Sequence, residues 1–199
     1  MSTIVTKFGG SSLADANQFK KVKDIILSND ERRYVVPSAP GKRNSKDSKI
    51  TDLLYLCHAH VSTGISFDEV FNHIKDRYCG IVNDLSLDFD INKHLDIVKK
   101  DLEDGASSDY AASRGEYLNG LILADYLGFE FVDAKDVMIF NADGSLDSEA
   151  TNSALKARLA ITPKAVIPGL PPAPITSTEA SFKAVWPGPP TSRSTMWRA

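Results

Sequence analysis

From Ser2 to Phe8 the chain alternates apolar and polar residues and is rich in β-branched side chains, which predicts a strand. The pattern breaks at Gly9-Gly10, and Ser11 or Ser12 is placed to cap a helix running to about Asn29. In that segment Phe19, Val22, Ile25 and Ile26 form one apolar stripe, so the helix packs on a sheet. Asp15, three residues after Ser12, complements the helix N-terminus. A second strand is predicted at Arg33 to Ser38, apolar at Tyr34-Val35-Val36, before Pro37, Pro40 and Gly41 disrupt regular structure. The polar, basic stretch from Gly41 to Lys49 then reads as a loop leading into a helix from Ile50 to about His60.

Between Ser66 and Glu103 helical periodicity is nearly continuous, in two pieces divided near Ser86 to Asp90. One piece carries its stripe at Val70, Phe71, Ile74 and Tyr78, the other at Leu95, Ile97, Val98 and Leu102. A further helix is predicted from about Ser108 to Leu127, followed by short strands at Glu130 to Asp133 and Val137 to Phe140. Asn141 to Ser145 is a turn, Ser148 to about Ala160 a helix, and Lys164 to Ile167 a short buried strand ending at Pro168-Gly169. Helices alternating with apolar strands predict an α/β fold, a three-layer αβα sandwich around a mainly parallel sheet.

The pattern stops after Gly169. Eight of the ten prolines and both tryptophans follow residue 160, while Glu179 is the one acidic residue there. Leu170 onward shows no apolar periodicity, and Pro171-Pro172-Ala173-Pro174 and Pro187-Gly188-Pro189-Pro190 favour extended, disordered chain. Two regions are therefore expected: residues 1–169, which fold, and 170–199, a proline-rich tail.

Composition narrows the function classes. At 199 residues and 42% hydrophobic, the chain is long enough for one substantial core. A formal net charge of -3 gives no basic surface for nucleic acid or an anionic membrane. The N-terminus lacks a targeting core and no stretch is long enough to span a membrane, so a cytoplasmic protein acting on small molecules is expected. Cys57 and Cys79 show no CxxC spacing and read as reduced core residues. His58, His60, His73 and His94 show no ligand spacing, and no protein-bound metal is predicted.

Candidate chemistry starts at Lys7-Phe8-Gly9-Gly10-Ser11-Ser12. A cation at a strand end, two glycines at a close turn and a helix behind them are the parts of a phosphate site. The spacing is neither a Walker loop nor GxGxxG, and two glycines between a strand and a helix also make a plain turn.

The run Lys7 to Ala14 closely resembles the opening signature of aspartokinases in the amino-acid kinase family. Further blocks follow in that family's order. Val35 to Gly41 resembles its second strand and loop, and Ile50-Thr51-Asp52-Leu53-Leu54 the helix start behind it. Ser113-Arg114-Gly115-Glu116-Tyr117-Leu118 resembles the block that supplies a substrate-binding glutamate, and Phe131 to Asp136 the strand after it.

The resemblance implies an aspartate kinase that transfers the γ-phosphoryl group of ATP, with Mg2+, to the side-chain carboxylate of L-aspartate, opening lysine, threonine and methionine synthesis. It implies that Lys7 contacts the transferring phosphate while Gly9, Gly10 and Ser11 shape the turn around it. Ser38 and Thr51 would bind aspartate and Glu116 its ammonium group. L-aspartate and ATP are the implied partners, and a homo-oligomer is open to the full-length family member. Taken singly, Ser38 also reads as a turn hydroxyl, Thr51 as a helix cap and Glu116 as a solvated helix residue, while Lys42, Arg43, Lys46 and Lys49 are placed either to approach nucleotide phosphates or, as a charge run usually is, to form a solvated loop.

After Val166-Ile167-Pro168-Gly169 the sequence departs from the family, whose Arg-Gly-Gly-Ser-Asp block is replaced by Leu170-Pro171-Pro172-Ala173-Pro174. We expect a reading-frame change or artificial junction in the coding DNA, an incomplete fold, and, as the alternative to an active kinase, an inactive fragment. Such a fragment would bind ligand weakly or associate with a full-length partner. Another acid kinase of the family, acting on glutamate or carbamate, fits Ser12-Leu13-Ala14 and the Glu116 block less well.

Overall fold

The alternation that opens the chain becomes strand β1 (Ile4–Phe8), and the apolar run after the first helix becomes β2 (Arg32–Pro37). The computed structural model describes residues 3–169. Ser2, counted above in the first strand, and the proline-rich tail 170–199 lie outside the described residues. With two shorter strands, β3 (Glu130–Phe131) and β4 (Ala165–Val166), the described residues form a four-stranded sheet in the order β1-β2-β4-β3, in which every pairing is parallel. Parallel neighbours require long crossovers. Here helices supply them: α1 (Ala16–Leu27) joins β1 to β2, and α6 (Ser148–Ala160) lies between β3 and β4. Between β2 and β3 come α2 (Ile50–Ser62), α3 (Asp68–Asp84), α4 (Ile91–Glu103) and α5 (Ser108–Leu127).

Strand side chains alternate between faces, and the core divides accordingly. Val35 and Val166 join the main cluster with Phe19, Leu54, Tyr78 and Leu118. Ala165 packs with Val132 and Val137, and Tyr34, Leu155 and Leu159 join that second cluster, so α6 contributes to it. The hydroxyl of Tyr34 lies 3.2 Å from the Leu159 carbonyl and 3.1 Å from that of Thr162. Helices thus cover both faces of the sheet, as the alternating pattern of elements predicts. Each fully buried aliphatic side chain in such a cluster contributes about 1.5–3 kcal/mol.

Two local expectations are corrected. The first long helix is capped not by Ser11 or Ser12 but by Asp15, whose carboxylate accepts a hydrogen bond from the Gln18 amide at 3.1 Å. Gly10–Leu13 winds instead into a 3-10 turn that carries Leu13 into the core, and only beyond it does the chain reach the extended cap conformation. The strand expected at Val137 to Phe140 does not join the sheet. The Ile139 amide donates to the Thr151 hydroxyl at 3.0 Å, its carbonyl accepts from the Asp147 amide at 2.8 Å, and Phe140 makes an isolated antiparallel bridge to Leu146. The start of α6 therefore satisfies backbone groups that a ladder would have used.

The cysteines differ. Cys57 is fully buried, and burial pushes its thiol up to about 12; Cys79 is half-buried and its thiol is also raised by burial. A thiolate is the reactive form. With a disulfide exchange reagent at pH 8 we expect Cys79 to react first, and Cys57 to react only at the rate of unfolding. Equal rates in the native protein would contradict this burial.

Candidate functional site

Phe8 and Pro37 lie opposite one another where β1 and β2 end, and beyond them the two chains continue side by side. The Ser38 amide donates to the Phe8 carbonyl at 2.9 Å, and the Gly41 amide to the Gly10 carbonyl at 2.8 Å. A Cβ on Gly10 would stand 2.8 Å from the Ala39 carbonyl oxygen, and one on Gly41 would stand 2.7 Å from the Gly10 carbonyl carbon. The two loops cross backbone to backbone because neither residue has a side chain. An open cleft of about 470 Å³ lies at this crossing, where ligands gather in parallel α/β sheets.

Helix α5 forms the opposite wall. It comes close because a Cβ on Gly115 would meet the Ala39 Cβ at 2.8 Å and Leu54 at 3.3 Å. The Tyr78 hydroxyl donates to the Gly115 carbonyl at 2.7 Å, and Asn119 Nδ2 donates to the Ser38 carbonyl at 2.7 Å. These contacts set Glu116 into the cleft lining. Its Oε2 is buried and has no hydrogen-bond partner among the described residues. Burial raises the Glu116 carboxyl to about 7, opposed by the positive charge of Lys7. Gly169 packs so tightly here that a Cβ would stand 2.4 Å from Oε2. A buried acceptor without a partner is costly, so the group is suited to a cationic donor arriving from the cleft.

The basic loop is solvated at its four cations, Lys42, Arg43, Lys46 and Lys49, but anchored from beneath. Arg77 of α3, 6% exposed, donates from Nη1 to the Gly41 carbonyl at 3.0 Å and from Nη2 to Asp47 at 2.5 Å. Arg43 Nε also donates to Asp47, at 2.9 Å. Hydrogen bonding from Arg43, with the charge of Arg77 nearby, holds the Asp47 carboxyl well below the usual carboxylate range despite its burial.

Of the residues singled out in the sequence, Gly10, Ser11, Ser38, Lys42, Lys49, Thr51 and Glu116 line this one cleft, while Arg43 and Lys46 do not. Lys7 and Gly9 do not line it; Lys7 is exposed near the end of β1, where its charge acts on Glu116. Sequence reasoning named Gly41 and Gly115 only inside larger blocks, without their packing roles, and missed Asn119 and Arg77. The Pro40-Gly41 pair was a usable turn signal, whereas a single arginine within a helical pattern carries none. Among the described residues, no group of three or more His, Cys, Asp or Glu side chains is placed to hold a metal, and no helix is long and apolar enough to cross a membrane.

Residues 2–182 match the profile of the amino acid kinase family. Aspartokinase 3 of Bacillus subtilis is 38% identical over 148 residues, which is 68% of this chain and 32% of that protein. The crystal structure of Clostridium acetobutylicum aspartate kinase superposes with a TM-score of 0.83 at 59% identity, over 85% of this chain and 39% of that one. Escherichia coli aspartokinase III, in complex with aspartate and ADP, shares the fold with a TM-score of 0.67 at 24% identity, over 84% of this chain and 40% of that one. The chain thus spans roughly a third of the length of the Bacillus relative.

Proposed function

This chain belongs to the amino acid kinase family, and on that premise we propose that its cleft serves an aspartate kinase, forming 4-phospho-L-aspartate and ADP from L-aspartate and MgATP. A side-chain carboxylate oxygen attacks the γ-phosphorus as the bond to the bridging oxygen breaks, and ADP leaves. The acceptor is already ionised at neutral pH, so no base is needed. What the site supplies is alignment of two anions and offset of their charge.

The observation that carries this reading is the buried Oε2 of Glu116, unpartnered among the described residues, in the cleft that Ser38 and Thr51 also line. Glu116 accepts from the ammonium group of aspartate while Ser38 and Thr51 hold a carboxylate. Gly9, Gly10 and Ser11 shape the turn that faces the phosphates, and Lys7 offsets the charge that develops between the reactants. Magnesium arrives with the nucleotide as part of the substrate. The reading also assigns residues 1–169 to the N-terminal part of a catalytic domain, and a cytoplasmic role at the start of lysine, threonine and methionine synthesis. Homo-oligomer formation is left to the full-length family member.

A coupled assay of ADP formation from ATP and L-aspartate tests this reading. Lys7→Ala is expected to lower kcat by about 10²–10³, the cost of removing one preorganised charge donor. Turnover unaltered by that substitution would refute the role of Lys7. A second reading, ligand binding without transfer, is favoured by one observation: Ser38, Thr51 and Glu116 line the cleft and Lys7 does not. It expects L-aspartate to raise the unfolding temperature while no ADP forms.

A further inference from the structure

The loop after β2 carries four cations, and tertiary contacts sort them. Arg43 is committed to Asp47 through Nε at 2.9 Å and Nη2 at 3.2 Å. Arg77 grips the loop at two points, the Gly41 carbonyl at 3.0 Å and Asp47 at 2.5 Å. Between these points the chain is held to one course, and Lys42 and Lys49 line the cleft while Lys46 does not. Among the described residues neither cleft lysine forms an ion pair.

Their surroundings differ. Lys42 directly follows Gly41, whose amide is bonded to Gly10 of the glycine turn at 2.8 Å. Lys49 directly precedes α2, whose first turn bears Thr51. On the phosphoryl-transfer reading of the cleft, an ammonium group beside the glycine turn would meet the polyphosphate, and one beside Thr51 the acceptor. We propose that Lys42 is a phosphate-binding residue of this cleft, held in place by Arg77 through Gly41 and Asp47, and that it takes the polyphosphate of the nucleotide. Arg77 is a positioning residue in this scheme. The proposal rests on the reading of the cleft as a phosphoryl-transfer site.

The test is calorimetric titration of the 199-residue chain with sodium tripolyphosphate and, separately, with L-aspartate, at low salt where surface charge is least screened. Lys42→Met is expected to weaken tripolyphosphate about tenfold, the effect of one charged hydrogen bond, and to leave L-aspartate unchanged. Lys46→Met, from the same loop but outside the cleft, is expected to change tripolyphosphate by less than about twofold, as for an exposed charge. Arg77→Lys should weaken tripolyphosphate in the wild-type background and have no further effect in Lys42→Met, a coupling that a purely structural arginine would not show.

Equal effects at Lys42 and Lys46 would overturn the proposal, as would additive losses at Arg77 and Lys42. Weakening of L-aspartate in place of tripolyphosphate would also overturn it, by assigning Lys42 to the acceptor side. If the unaltered chain binds L-aspartate but not tripolyphosphate, the phosphoryl-transfer reading falls together with this one. If it binds tripolyphosphate regardless of Lys42, only the present inference falls.

Discussion

Arg77→Met is expected to lower unfolding free energy toward the lower end of the about 3–5 kcal/mol lost when one partner of a buried ion pair is removed. The side chain of Arg77 is 5% exposed and that of Asp47 is 11%, so the carboxylate left behind cannot be rehydrated in place. Arg43 remains beside it, but at 50% exposure its pairing is partly screened, which is why the low end applies. The Gly41 carbonyl loses its donor as well. Urea denaturation at pH 7 measures the loss.

The same anchor has a pH signature. The folded-state Asp47 carboxyl is held well below its unfolded value near 3.9. Its contribution is therefore complete above about pH 4 and is lost as the pH falls from there through the folded value. Between pH 7 and pH 3 the wild type should lose more stability than Asp47→Asn. Equal urea midpoints for wild type and Arg77→Met at pH 7 would show that the buried pair is not holding the loop.

The second large effect concerns Glu116. L-aspartate is expected to bind less well as the pH falls below about 7, by up to about tenfold per unit, because the raised carboxyl must release a proton before it can accept an ammonium group. Glu116→Gln should bind about 10–100-fold more weakly at pH 8, having lost one charged hydrogen bond, and should show no such dependence. Without ligand the sign is reversed. The folded pKa lies above the unfolded value near 4.3, so the folded state binds more protons between the two, and the stability this confers is present below about pH 4.3 and lost as the pH rises through about 7. Titration at pH 6, 7 and 8 separates these effects. A flat affinity profile in the wild type, or a slope retained by Glu116→Gln, would remove Glu116 from the ammonium site.

Much of this was legible along the chain. A period of two marked β1, a short apolar run marked β2, and a period near four marked the helices, because burial leaves its imprint on a single element. The break between α3 and α4 falls near Ser86 to Asp90, as the interrupted stripe predicted. Where several local signals competed, pattern was insufficient. Ser11, Ser12 and Asp15 all offer a cap, and the choice of Asp15 depends on Leu13 reaching the core. Val137 to Phe140 has the composition of a strand, but Thr151 and Asp147 meet its backbone first.

For the site, local pattern is enough to place a cation and two glycines at the end of an apolar strand, since motif and periodicity are local properties. Which groups share a cleft is set by contacts between distant elements. Gly10 and Gly41 cross because each lacks a Cβ, and Glu116 faces them because Gly115 lets α5 approach Ala39. The basic loop, which by composition is a solvated run, is fixed by an arginine thirty residues beyond Asp47. No local pattern encodes such contacts, because the energy of a buried charge depends on which partner arrives through space and not on its neighbours along the chain.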